Sequence, residues 1–292
     1  MGDKTKISWA DASWNPVYGC GGCELNDGHC YAARMAGRFP DRYPGLVKDG
    51  RWTGKMELAE DRLGLPMRWK KPRRIFVNSM GELFFGPAPG RAYEYWRSIV
   101  GVMTDCPQHT FMILTKQPER IKEFVEGCSV TPNIWLGVSV TDQKTADQRI
   151  PLLLQTSAAV RFVSVEPLLG PVDLRGLRSE IDGKTRPLLT CNALTGKHTC
   201  GPWVHEAPKL DWVICGGESG PGARPMRPEW VRSLRDQCQE AKVPFFFKAW
   251  GKHPSPCVKW DFCQTNKDGL PVLDGRTWSE FPTNPTGPGG CE

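Results

Sequence analysis

The chain has 292 residues, 38 Lys+Arg against 32 Asp+Glu for a formal charge of +6, and is 39% hydrophobic and 24% charged. That balance suits a soluble globular chain with one large core and excludes collagen, intrinsic disorder and a coiled coil. No apolar run approaches the roughly 18 residues of a bilayer span, and the opening MGDKTKISWADASW lacks the apolar core of a signal peptide, so no membrane association and a cytoplasmic setting are expected.

Taken in chain order, the elements repeat one shape: a short β-rich apolar run ending in polar or Gly residues, then a helical stretch. After one strand near the N-terminus, Ile75–Met80 leads to a helix over Tyr93–Thr104. Thr110–Leu114 leads through Thr115-Lys116-Gln117-Pro118 to a helix with Ile121, Phe124 and Val125 on one face. Ile134–Val140 precedes a helix from about Asp142 to Leu154; Val160–Val165 ends at Glu166-Pro167, and Trp212–Cys215 ends at Gly216-Gly217-Glu218. A helix over Pro228–Ala241 precedes Pro244–Lys248. Strands that alternate with helices and read as continuous apolar runs imply a parallel sheet covered on both faces. The expected fold is α/β, a partial or complete parallel (β/α) barrel, with an open doubly wound sheet as the alternative. No G-x-G-x-x-G follows the first strand, which disfavours a dinucleotide-binding version.

Two segments break the rhythm. Residues from about 177 to 207 read as an insertion within a barrel spanning 1–251, and 252–292, rich in Pro, Gly and Lys, reads as an irregular C-terminal extension. Cys191, His198, Cys200 and His205 in the insertion are zinc candidates, although their spacing fits no common site. His109 and His253 stand alone and read as structural, and Cys257, Cys263 and Cys291 fall in the extension.

Twelve cysteines are many for a chain with no export signal, and clustered ones in a reducing compartment point to metal or redox chemistry. Cys106, Cys128, Cys215 and Cys238 are scattered and read as small buried hydrophobes. Cys20, Cys23 and Cys30 are different: three thiols within 11 residues, on a Gly-rich loop leading into a helix. A zinc site needs four ligands and an iron–sulfur cluster usually four cysteines, so three leave one position open. A zinc knuckle completed by His29 is the competing reading.

The string Asn15-Pro16-Val17-Tyr18-Gly19-Cys20, followed by Cys30-Tyr31-Ala32-Ala33-Arg34, resembles the cluster loop of radical S-adenosylmethionine enzymes of the spore-photoproduct-lyase type. The wider chain resembles a largely bacteriophage-borne family of radical-SAM-like proteins with a three-cysteine motif, through Lys6–Cys20, Cys30–Arg34, Pro66–Phe84, His109–Arg120, Asn133–Asp142, Arg161–Leu174 and Trp212–Gly251. One departure stands out: the family's last two cysteines are spaced C-x-x-C, whereas position 27 here is Asp and the middle cysteine is Cys23. Asp27 or His29 then becomes a candidate extra ligand.

The resemblance implies a radical-SAM barrel in which Cys20, Cys23 and Cys30 hold a [4Fe–4S] cluster and S-adenosylmethionine chelates the fourth iron. One electron would cleave that cofactor to methionine and a 5′-deoxyadenosyl radical, which abstracts hydrogen from the substrate. The host cytoplasm is the setting if the chain is phage-encoded. In such enzymes a Gly-Glu-type segment after the second strand binds the methionyl amine, and Gly81-Glu82 stand at that place. Ser139 and Asp142 are the positional candidates for the ribose. A barrel puts its working residues at the C-terminal strand ends. Gly216, Gly217 and Glu218 there are assigned to cofactor or substrate binding, and Lys116, Glu166 and Lys248 to substrate contact or proton transfer. DNA, with a thymine-type base, is the expected substrate.

Arg62–Arg74 packs six cations into 13 residues. Within it Arg68, Trp69, Lys70, Lys71, Arg73 and Arg74 combine phosphate attraction with an aromatic surface, a nucleic-acid signature. The rivals are a non-catalytic, zinc-stabilised nucleic-acid-binding protein, acting with a partner encoded beside it, and a radical enzyme for a small nucleotide or peptide.

Overall fold

The computed structural model describes residues 5–84, 91–181, 184–200, 203–252 and 265–283. Seven strands form one sheet: β1 (Ala12–Trp14), β2 (Arg74–Val77), β3 (Thr110–Thr115), β4 (Ile134–Val140), β5 (Arg161–Val165), β6 (Trp212–Gly216) and β7 (Phe245–Ala249). Their order in the sheet is their order in the chain, and the sheet is all-parallel: a partial (β/α) barrel, as the alternation of elements predicts. The crossovers carry α1 (Tyr31–Gly37), α2 (Arg91–Thr104), α3 (Ile121–Gly127), α4 (Gln143–Leu154) and α5 (Pro228–Ala241). By contacts the chain divides into two compact units, Met1–Trp135 and Leu136–Glu292.

The strands are buried because their sequences leave no polar face. All seven residues of β4, IWLGVSV, are buried, as are all five of β6, WVICG. Gly137 in β4 is glycine for a packing reason: a Cβ there would stand 2.5 Å from the Phe162 ring of β5. In the first unit, Phe84 packs edge-on to Trp96 and Phe124 at centroid distances of 5.5 and 5.1 Å. A separate small cluster joins Tyr18, Tyr43, Leu46, Trp52 and Met80 to Ala32, Ala33 and Ala36 of α1, with Cys20 and Cys30 packed against it. In the second unit, Val231, Leu234 and Cys238 turn one face of α5 inward at helical spacing. Cys106, Cys128, Cys215 and Cys238 are buried, as expected of them.

Between β5 and β6 the crossover helix is replaced by an antiparallel meander of four strands, Leu177–Ile181, Lys184–Asn192, Lys197–Cys200 and Trp203–Glu206. This is the expected insertion, folded as a sheet of its own. The C-terminal segment is more ordered in its described part than its composition suggests. Val272–Leu273 and Arg276–Thr277 form a hairpin, the Phe247 N–H donates to the Trp278 carbonyl at 2.8 Å, and the Trp212 indole donates to the Glu280 carbonyl at 2.8 Å. His253, Cys257, Cys263 and Cys291 lie outside the described residues. No helix among the described residues is long and apolar enough to cross a membrane.

Candidate metal centre

The thiol loop starts at the C-terminal end of β1 and is fastened to the C-terminal end of β2 by two asparagines. Asn15 Oδ1 accepts from the Met80 N–H at 2.8 Å and the Ser79 hydroxyl at 3.1 Å; reciprocally, Asn78 Oδ1 accepts from the Val17 N–H at 3.2 Å. Asn78 holds a left-handed backbone, φ 65°, a conformation that asparagine tolerates better than most residues. Val17–Gly19 then pairs antiparallel with Met56–Leu58. Gly19 has φ +97°, and a Cβ there would lie 2.1 Å from the Lys55 carbonyl oxygen, so the approach to Cys20 admits only glycine. Asn15 belongs to the motif string read in the sequence and Asn78 to the polar end of the second strand, but the sequence did not show that the two brace one loop.

Cys20, Cys23 and Cys30 are all half-buried. Burial pushes the Cys20 thiol up to about 12, opposed by the Gly22 N–H that donates to its sulfur at 3.3 Å and reinforced by the charges of Glu82, Cys23 and Cys30. Burial also raises Cys23, with Lys116 acting in the opposite direction and Cys30 adding to the rise. The charge of Cys30 adds to the rise of both other thiols, so the sulfurs are electrostatically coupled, and a bound cation would favour their thiolate forms. Among the described residues no three His, Cys, Asp or Glu side chains are gathered closely enough to hold a single ion. His29 Nδ1 instead sits 2.9 Å from Asp27 Oδ1, with both groups at the surface. His29 is thus engaged with Asp27. Three thiols on one loop are a donor set that leaves one ligand position open, for an iron–sulfur group or for a single ion.

Gly81 and Glu82 adjoin this loop. Gly19 and Gly81 form a parallel bridge, the Glu82 N–H donates to the Gly19 carbonyl at 3.0 Å, and a Cβ on Gly81 would stand 2.5 Å from that same oxygen. The buried Glu82 carboxylate accepts from the Thr115 hydroxyl at 2.7 Å, the Lys116 N–H at 3.1 Å and the Phe84 N–H at 3.2 Å. Burial nevertheless pushes its carboxyl above the ordinary range, against those donors. An added cation would relieve that cost. Among the described residues the Lys116 ammonium makes no hydrogen bond or ion pair, while it lies within electrostatic reach of Cys23 and Glu82. The Asn78 Nδ2 group is buried without a hydrogen-bond partner.

In the second unit the polar strand ends are mostly engaged by the fold itself. Asp142 caps α4 in a capping box with Thr145, accepting its N–H at 2.8 Å, and the Ser139 hydroxyl donates to the Glu166 carbonyl at 3.2 Å. Glu166 at the end of β5 is ion-paired with Lys248 of β7. The loop after β6 is pressed onto the end of β7. A Cβ on Gly217 would lie 2.1 Å from the Trp250 carbonyl oxygen, and the Gly217 N–H donates to the Ala249 carbonyl at 2.8 Å. The Glu218 carboxylate is gripped by the Arg224 guanidinium at 2.7 and 3.0 Å and by the Arg224 N–H at 2.7 Å. Gly216, by contrast, would meet Glu166 and Lys248 only at ordinary contact distance. The 216–225 loop is thus closed on itself by an internal ion pair.

The basic segment is divided between core and surface. The Trp69 ring is buried, edge-on to His109 at 6.1 Å with the Arg73 guanidinium 4.8 Å over it, so it offers no face to a base. Arg74 forks onto Asp11 at 3.0 and 3.2 Å. Arg68, Lys70 and Lys71 are exposed, but they precede β2, while the thiol loop meets the other end of that strand, four residues or roughly 13 Å away. The hydrophobic demand of the strand start took the tryptophan that composition alone assigned to stacking. In the insertion, Cys191 Sγ lies 3.1 Å from His198 Nε2, and the register sets His198 opposite His205. The Cys200 side chain lies outside the described residues. His109 is buried, its Nε2 3.2 Å from the Pro66 carbonyl, which is a structural role.

Fold and loop together define a parallel (β/α) partial-barrel protein with a three-thiol site at its first strand ends. A family model described as Protein of unknown function (DUF5131) matches residues 4–282, and the chain belongs to that family. No curated protein and no solved structure matches it.

Proposed function

We propose that this protein is a radical S-adenosylmethionine enzyme whose Cys20, Cys23 and Cys30 hold a [4Fe–4S] cluster. The observation that carries the reading is the Gly19–Gly81 bridge, which seats the thiol loop beside a buried carboxylate at the barrel's strand ends. When bound and reduced, such a cluster gives one electron to S-adenosylmethionine, yielding methionine and a 5′-deoxyadenosyl radical that takes hydrogen from a substrate. The chain's own residues bind and orient. The three thiolates anchor the cluster, Glu82 offers a carboxylate to the methionyl ammonium, and Asn78 Nδ2 has a donor to give. Lys116 offsets negative charge beside Cys23. Glu166 and Lys248 are the substrate-side acid–base candidates, and Ser139, Asp142 and Gly216–Glu218 frame the later strand ends. The substrate assigned is a base of DNA, thymine-derived, presented unpaired so that a radical can reach it.

The test is anaerobic reconstitution with iron and sulfide, reduction, and chromatography for 5′-deoxyadenosine with and without DNA. The expected result is about four irons per chain, visible absorption and reductant-dependent 5′-deoxyadenosine. A colourless protein with one zinc per chain overturns the catalytic reading in favour of the zinc-stabilised binder. An unchanged cleavage rate on adding DNA removes the substrate assignment alone.

A further inference from the structure

The helix that follows Cys30 carries an unusual outer face. α1 buries Ala32, Ala33 and Ala36, which fixes the opposite side as Tyr31, Arg34 and Arg38 at i, i+3 and i+7. The turn that follows adds Phe39, whose N–H still donates to the Ala36 carbonyl at 3.0 Å, whereas Arg42 in that turn is engaged by the cluster beneath, 5.7 Å over the Tyr43 ring. Tyr31 and Phe39 are 50% and 52% exposed, so two aromatic rings stand half in water within nine positions. Arg34 and Arg38 interleave with them, against one acid, Asp41. Among the described residues the Arg38 guanidinium makes no side-chain hydrogen bond or ion pair. Scattered exposed apolar residues are ordinary, but rings alternating with guanidinium groups are what a single strand recognises: bases stack on the rings and phosphates meet the cations. A protein-binding face would place its apolar residues together in a core, with the charges at a rim.

The position matters as much as the composition. The face begins at the residue after the third thiol, and the Tyr31 hydroxyl donates to the Ser79 carbonyl at 2.5 Å, tying the ring to the C-terminal end of β2. The segment 68–74 meets that strand at its other end, with its one aromatic ring buried.

We propose that the outer face of α1 and its following turn, built from Tyr31, Arg34, Arg38 and Phe39, binds single-stranded nucleic acid and brings a base to the adjoining thiol site. The inference rests on the nucleic-acid part of the proposed function and moves the interface from the basic segment to this helix.

The experiment is fluorescence anisotropy of a fluorescein-labelled, thymine-rich single-stranded oligodeoxynucleotide titrated with the full chain at several salt concentrations. Arg38→Glu and Phe39→Ala are compared with the paired control Lys70→Glu/Lys71→Glu. Each α1 variant should weaken binding about tenfold, and Arg38→Glu should flatten the log–log salt slope by about 0.7 for each phosphate that is no longer neutralised. The Lys70/Lys71 control should change affinity less than either, and thermal melts by circular dichroism should show all variants folded. Wild-type affinity from both α1 variants, a larger loss from the control pair, absence of binding by the wild-type chain, or a preference for duplex overturns the proposal. Iron content is measured on the same wild-type sample. Iron without oligonucleotide binding defeats this inference alone, and binding without iron defeats the catalytic reading alone.

Discussion

The Gly19 carbonyl oxygen receives the Glu82 N–H at 3.0 Å and lies 2.5 Å from where a Cβ of Gly81 would be, so the thiol loop and the carboxylate segment touch through bare backbone. Gly81→Ala forces that contact open, and both neighbours are backbone atoms that cannot swing aside. We expect a loss of about 1–3 kcal/mol, larger than the few tenths gained from a stiffer unfolded chain. Gly101→Ala on α2, where a Cβ would meet nothing within 4 Å, should be neutral or mildly stabilising. Urea midpoints of the two variants, with iron retention after desalting, provide the comparison; equal midpoints would show that the bridge is slack.

Cys20→Ser, Cys23→Ser and Cys30→Ser should each abolish stoichiometric iron and visible absorption after reconstitution, because a serine oxygen is a poor substitute for a thiolate on iron. Cys128→Ser changes a buried thiol in the same unit and should leave the iron content unaltered. Asp27→Asn and His29→Ala should also leave it unaltered, since these two side chains hold each other at 2.9 Å. Iron and sulfide analysis decides all six.

Arg224→Ala removes the guanidinium from a carboxylate that is 5% exposed. Breaking a buried pair costs several kcal/mol; the arginine is about a third exposed, so water offsets part of the loss and about 2 kcal/mol is expected. Glu218→Gln in the same chain should restore part of it by removing the stranded charge. A urea denaturation series on the single and double variants measures the difference, and additive losses would deny the coupling.

Hydrogen bonds from Arg232 hold the Asp274 carboxyl below its ordinary value, with Arg235 adding to the effect. A lowered folded value means that the unfolded chain binds the proton first. The pair's contribution is therefore present above the ordinary carboxylate range and is lost as pH falls through the folded value. Asp274 and Arg232 are both more than a third exposed, so solvent screening keeps the effect under about 1 kcal/mol. Asp274→Asn should lower the urea midpoint near neutral pH, and the difference from wild type should shrink as pH falls below the ordinary carboxylate range. A midpoint difference that persists unchanged into acid would refute the assignment.

The parallel sheet was legible because buried strands write themselves as nearly unbroken apolar runs: every residue of β4 and β6 is buried, with Ser139 the one hydroxyl among them. The thiol spacing and the Gly81-Glu82 segment were legible too, since metal donors and Gly-acid pairs are conspicuous in a sequence. The partners of Glu82 were not. Thr115 and the Lys116 amide reach it from a strand more than 30 positions away, a pairing that sheet order creates and no local pattern announces. The bracing role of Asn15 and Asn78 was not legible for the same reason, each being ordinary until the other is brought within 3.2 Å of its loop. The Asp142 and Glu218 carboxylates read as ligand groups, and the fold uses them to cap a helix and close a loop.

The amino-acid order by itself determined the alternation of strands and helices and the clustering of three thiols, because periodic burial and short-range spacing are local properties. Which end of a strand a segment meets is not local. Only tertiary structure decided that the cations of 68–74 and the thiols sit at opposite ends of β2, that Trp69 is core, and that Tyr31 and Phe39 keep their rings in water. The reason is that a side chain's surroundings come from elements far away in the chain, and packing them against one another fixes which polar groups remain for a ligand.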